Sequence, residues 1–190
     1  QVFSAAQIEV IHQLASYYAA PLSEVAFHAL DVPPIVTSSG KERSFTEKPQ
    51  QKRTVLQGAD RVTVLTGSWA QRRDTYRRII EKSNGHTLII FAQNAFATAF
   101  QSFIETLKPA YRLYPIKEFG GKKTTTTLLK LIRGGERAVL IGTLGDVFFP
   151  LNPGDTIIID QPYHLGAKSQ SRPFMTARRI AMVRAQVEDL

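Results

Sequence analysis

The chain has 190 residues, enough for one well-buried core or one domain with a small appendage, and 43% apolar against 21% charged side chains excludes wholesale disorder. Without cysteine it forms neither disulfides nor thiolate metal sites, its four histidines (His12, His28, His86, His164) are too scattered for a local ligand cluster, and no apolar run reaches the roughly 20 residues that span a bilayer. The net charge of +8 is unevenly placed: residues 1–40 hold Glu9, Glu24 and Asp31 but no lysine or arginine, so all 24 basic side chains follow, an excess suited to a polyanion such as nucleic acid.

Ser4 and Gln7 form a capping-box pattern, after which Ile8, Ile11, Leu14, Ala15 and Tyr18 recur at helical spacing. Pro21 fits the first turn of a second helix carrying Leu22, Val25, Ala26, Ala29 and Leu30, which Pro33 and Pro34 stop. Residues 1–34 therefore read as a helical hairpin. Residues 35–58 mix Ser, Gly, Pro and charge without apolar period and read as a linker.

From residue 59 to 190 strands and helices alternate. Strand-like runs occur at residues 62–66, 87–92, 111–116, 138–142 and 156–160. Between them lie a helix over residues 71–82, another that Asn94 can cap, with Phe96, Phe100, Phe103, Ile104 and Leu107 on one face, and a third over residues 122–133. A last helix aligns Phe174, Ala177, Ile180, Val183 and Val187. Short strands such as TLII and AVLI are apolar on both faces, which predicts an α/β fold with an open, mostly parallel sheet and helices on both sides. The N-terminal QVFSAAQIEV has no signal-peptide pattern, so a cytoplasmic protein is expected, and neither metal nor cofactor.

Ligands of such sheets sit beyond the carboxyl ends of strands, which directs attention to three loops. LTGSWAQRRDTY offers Gly67 and Ser68 where a phosphate loop would begin, but Trp69 and Ala70 stand where bare backbone and a lysine are required. FGGKKTTTT places Gly120, Gly121, Lys122 and Lys123 at a helix start, suited either to a single phosphate or to a solvated cap. TIIIDQPYH ends a buried strand with Asp160, which either organises a metal or caps nearby amides. Gln161 follows where a general base would stand, and an amide cannot take a proton at neutral pH. No nucleophile elbow and no helical His-Glu-x-x-His is present, so no catalytic residue is assigned.

Several passages carry a resemblance to a known family. QLASYYAAPLSEVAFHALDVPP is similar to ADYYLAPLGEVLRAAL, and GTLGDVFFPLNPGDTIIIDQPYH to GTRSALFAPLPNLGLIIVDEEH, both of the primosomal replication-restart helicases (PriA, primosomal protein N′). KSQSRPFMTARRIAMVRA follows the same family without a gap, so that Gly142, Thr143, Phe149, Pro150, Asp160, Lys168, Pro173, Ala177, Arg178, Arg184 and Ala185 are shared.

The resemblance implies a P-loop-NTPase-like (RecA-like) first helicase lobe over residues 59–190 in degenerate form. The family's Gly-Lys-Thr is replaced by WAQRR, its Asp-Glu-Glu-His by Asp160, Gln161, Pro162 and Tyr163, and its Thr-Arg-Ser by Thr143, Leu144 and Gly145. Gly67, Ser68 and Asp160 are then remnants of a nucleotide site. No counterpart of the family's second motor lobe lies within these residues, and one lobe is not expected to translocate.

A non-catalytic module for DNA binding or primosome scaffolding in replication restart is the implied function. Its backbone contacts would come from Lys122, Lys123, Thr124 and Thr125, from Arg72, Arg73, Arg77 and Arg78, and from Thr143, Lys168 and Arg178, with replication-restart proteins as further partners. Two alternatives stay open: an ATP-dependent DNA helicase subunit active with a partner lobe, and a protein-interaction domain without a DNA role.

Overall fold

The runs TLIIF, AVLIG and TIIID are dominated by aliphatic and β-branched side chains, which favours pleated segments covered on both faces. A computed structural model describes residues 3–30, 65–106, 111–115 and 137–190. In it these runs are β1 (Thr87–Phe91), β3 (Ala138–Gly142) and β4 (Thr156–Asp160), with the shorter β2 (Arg112–Pro115). All pairings are parallel, in the spatial order β2-β3-β1-β4. The fold is thus α/β with an all-parallel four-stranded sheet among the described residues, as the apolar strands predict.

Among the described residues five helices flank it: α1 (Ala5–Tyr18), α2 (Leu22–Leu30), α3 (Trp69–Lys82), α4 (Asn94–Thr106) and α5 (Ala177–Glu188). Strand side chains alternate between faces, which divides the core in two. Leu88, Ile90, Leu140, Ile157 and Ile159 face α1, α2 and α5, where Val10, Leu14, Val25, Ile180 and Val183 meet them. Ile89, Phe91, Val139, Ile141 and Ile158 face α3 and α4, where Tyr76, Ile80, Phe100 and Ile104 complete the second cluster. Each large side chain buried this way contributes about 1.5–3 kcal/mol toward offsetting the chain entropy.

Ser4 caps α1 through the expected reciprocal box with Gln7. The buried stripe of α1 differs from the expected one: Val10 joins Ile11, Leu14 and Ala15, while Ile8 is 40% exposed. Asn94 is not a cap. Helix α4 starts there, and the Gln93 carbonyl accepts the Ala97 amide, one residue earlier than the sequence suggests. Phe174 is half-exposed, because α5 begins only after Thr176, whose hydroxyl accepts from the Arg179 amide. The expected helix over residues 122–133, and residues 62–64 of the expected first strand, lie outside the described residues; Leu65 and Thr66 belong to no strand.

The loop from β4 to α5 is fastened to the β1–α4 loop. His164 Nδ1 accepts the Gly166 amide at 2.9 Å, and its Nε2 lies 2.8 Å from the Gln93 amide nitrogen. A Cβ on Gly166 would fall 2.0 Å from the Ala92 carbonyl oxygen, whereas one on Gly145 would meet nothing within 4 Å. Gly166→Ala is therefore expected to cost about 1–3 kcal/mol by overpacking against rigid backbone. Gly145→Ala should stay within about 0.5 kcal/mol, a contrast that urea denaturation of both variants checks.

Candidate functional site

The LTGSW stretch folds as a glycine turn leading into a capped helix. Gly67 adopts φ 124°, a region that side chains disfavour, and Ser68 then caps α3: its Oγ accepts the Gln71 amide while Gln71 Oε1 accepts the Ser68 amide. Two of the amides at this helix start, those of Ser68 and Gln71, are therefore already engaged by side chains. Trp69, where a phosphate loop would keep bare backbone, stacks instead among Phe91, Phe96 and Phe100, with ring centroids 5.3–6.5 Å apart.

Arg72 joins this turn to the end of β4. Its Nη1 donates to the Gly67 carbonyl at 2.8 Å, and its Nε donates to Asp160 Oδ1 at 2.9 Å. Tyr76, one turn along α3, donates its hydroxyl to the same carboxylate oxygen at 2.7 Å. Asp160 is fully buried and Arg72 nearly so, at 0% and 16% side-chain exposure, so solvent screens this ion pair weakly. Burial works against the Arg72 charge, but the hydrogen bond and charge of Asp160 outweigh it and hold the guanidinium above its ordinary value. Burial first, then Asp160, pushes the Tyr76 phenol upward, which keeps its proton available for donation.

The structure thus gathers Gly67, Ser68 and Asp160 at one end of the sheet, with Arg72 as the group between them. A cation recruited to Asp160 would have to displace Arg72 or use Asp160 Oδ2, which is buried and has no hydrogen-bond partner among the described residues. No group of three or more His, Asp or Glu suited to a metal occurs among the described residues.

The expected DNA contacts separate into distinct environments. Lys122, Lys123, Thr124 and Thr125 lie outside the described residues. Arg73 places its guanidinium 4.0 Å from the Phe103 ring centroid, and Arg77 pairs with Glu81 at 2.8 Å. Arg78 is exposed farther along α3, toward Lys82. Thr143 follows β3, and its amide and hydroxyl both donate to Asp146 within a short 3-10 turn, Leu144–Phe148.

Lys168 and Arg178 belong to a different surface. Residues 161–187 contain Lys168, Arg172, Arg178, Arg179 and Arg184 and no acid. Arg178 lies 5.4 Å from the Tyr163 ring and donates to its hydroxyl at 3.1 Å; Lys168 lies 5.6 Å from the Phe174 ring. Tyr163 and Phe174 are 81% and 50% exposed, so each cation rests on an aromatic ring open to solvent. Sequence reasoning missed Tyr76, Arg172 and Phe174 as parts of these sites. The signal was present: Arg72 and Tyr76 are four residues apart on one helix, and aromatic residues interleave with cations in an acid-free stretch.

Comparison with protein-family models and with curated proteins returned no match.

Proposed function

We propose that the chain is a non-catalytic, PriA-like module of RecA-like fold that binds DNA or scaffolds the primosome in replication restart. The observation that carries the DNA-binding part is the acid-free stretch after β4, residues 161–187, in which exposed Lys168, Arg172 and Arg178 are interleaved with exposed Tyr163 and Phe174. Cations there attract phosphates without reading sequence, and open rings offer faces to bases. The restart context comes from the sequence resemblance that runs through Asp160, Lys168, Arg178 and Arg184. Lack of ATP turnover is supported by Arg72, whose guanidinium occupies the Asp160 carboxylate, and by Gln161, which cannot activate water.

Fluorescence anisotropy with labelled DNA over a salt series tests the reading. With roughly four to six phosphates neutralised, log K should fall against log salt with a slope of about −3 to −5. The Lys168→Glu/Arg178→Glu double variant should weaken binding at least tenfold. A flat salt response, or unchanged affinity in that variant, overturns the proposal, and DNA-stimulated phosphate release from ATP overturns its non-catalytic part.

A further inference from the structure

The acid-free stretch leaves the carboxyl end of β4, and a second gathering of cations stands at the opposite end of the sheet. Arg112 opens β2 and Arg137 immediately precedes β3, neighbours in the register Arg112↔Ala138. Helix α3 brings further cations to this amino end. It starts beside Asp160, and its last residue, Lys82, stands shortly before His86, whose Nδ1 accepts the Ala138 amide at 3.2 Å.

Charge and aromatic surface combine here as they do in the stretch after β4. Arg137 lies 5.4 Å from the ring centroid of Tyr111, which is partly exposed. Burial first, then the charge of Glu81, raises the Tyr111 phenol, while Arg137 and Arg77 act against it, so groups from α3 and from the start of β3 meet at one ring. Arg78, Lys82 and Arg112, which continue this group along α3 and β2, are exposed.

Acids are fewer in the same region. Glu81 is held by Arg77 at 2.8 Å, and Glu105 in the last turn of α4 accepts the Gln101 side-chain amide at 2.9 Å. Asp155 and Asp189 sit instead at the start of β4, three strand spacings or about 14 Å from β2. Asp155 is buried there and accepts the His86 and Asn152 amides. Residues 107–110 and 116–136, which adjoin this end in sequence, hold six basic side chains against Glu118 and Glu136. Arg77, Arg78, Lys82, Arg112 and Arg137 outnumber Glu81 and Glu105 even with those two acids added, so the sign of the charge does not depend on where the adjoining residues lie.

We infer that the amino ends of β2 and β3, with the last two turns of α3, form a second phosphate-contact surface that holds a separate segment of duplex DNA. Exposed cations neutralise phosphates without a built pocket and without reading sequence. The choice of DNA as occupant rests on the function proposed above, whereas the surface and its charge do not. The two surfaces are separated by the 14 residues of α3, about 20 Å, and lie at opposite ends of the sheet, one on the α5 face and one on the α3 face. A duplex of about 15 base pairs is a straight rod, far shorter than the persistence length of about 150 base pairs, and cannot follow that turn.

Two such duplexes, one carrying a donor and the other an acceptor fluorophore, are titrated together with the full chain at low salt. Energy transfer between them should appear, and calorimetry should count two duplexes per chain. Arg78→Glu/Lys82→Glu should lower the count to one and abolish the transfer; Lys168→Glu/Arg178→Glu should also lower it to one. A single duplex per chain that is released by Lys168→Glu/Arg178→Glu but not by Arg78→Glu/Lys82→Glu overturns the inference and leaves the proposed function standing. A single duplex released only by Arg78→Glu/Lys82→Glu keeps the amino-end surface and overturns the stretch after β4 as the DNA site. Transfer that persists in the Arg78→Glu/Lys82→Glu chain comes from association of chains and overturns the inference as well.

Discussion

Replacing Arg72 with leucine lowers the free energy of unfolding by about 3–5 kcal/mol, as removal of one partner from a buried ion pair does. The reason is Asp160: its carboxylate is wholly inaccessible, and without Arg72 the Tyr76 hydroxyl is its one remaining donor among the described residues. Asp160→Leu should also destabilise, because it strands the guanidinium and the phenol together. The Arg72→Leu/Asp160→Leu double variant should recover much of the loss, since two apolar groups in place of a desolvated pair are often neutral. A double-mutant cycle by urea denaturation measures the coupling directly. Additive losses would mean that the pair does not neutralise Asp160, and the argument against a metal or nucleotide at this position would fall with it.

How far the sequence reveals this architecture depends on the range of the interaction. Strands β3 and β4 were legible to the residue, because an uninterrupted apolar run between charged or glycine-rich turns has few other readings. The cap of α1 was legible too, in the spacing of Ser4 and Gln7; Ser68 and Gln71 repeat that spacing and form the same reciprocal box, so α3 starts at Trp69, two residues before the expected helix over residues 71–82. The Arg72–Asp160 bond was not, since its partners are 88 residues apart and meet only once α3 is laid beside β4. Phe174 misled for a local reason. Its spacing fits the α5 stripe, yet Thr176 starts the helix behind it and turns the ring to solvent. Arg184 is the converse case, a charged side chain whose position among Ile180, Val183 and Val187 places it on the buried face despite its polarity.

That buried arginine gives the second large effect. Arg184 is 1% exposed; its Nε and Nη2 both donate to Glu188 Oε2, and its Nη1 donates to the Val147 carbonyl in the 3-10 turn after β3. Methionine at this position keeps the length of the stem but leaves Glu188, 8% exposed, without its cation and the Val147 carbonyl without its donor. Arg184→Met is expected to cost about 3–5 kcal/mol. Arg77 makes the same i,i+4 pairing with Glu81, but those side chains are 35% and 47% exposed, so Arg77→Met should cost less than about 0.5 kcal/mol. Identical spacing with unlike burial makes the two substitutions a controlled pair, read by thermal or urea unfolding. A large gap between them shows that desolvation, and not helical pairing, makes Arg184 the anchor of α5 on the sheet. Equal, small losses would mean that water reaches Arg184, and that α5 is held by Ile180, Val183 and Val187 alone.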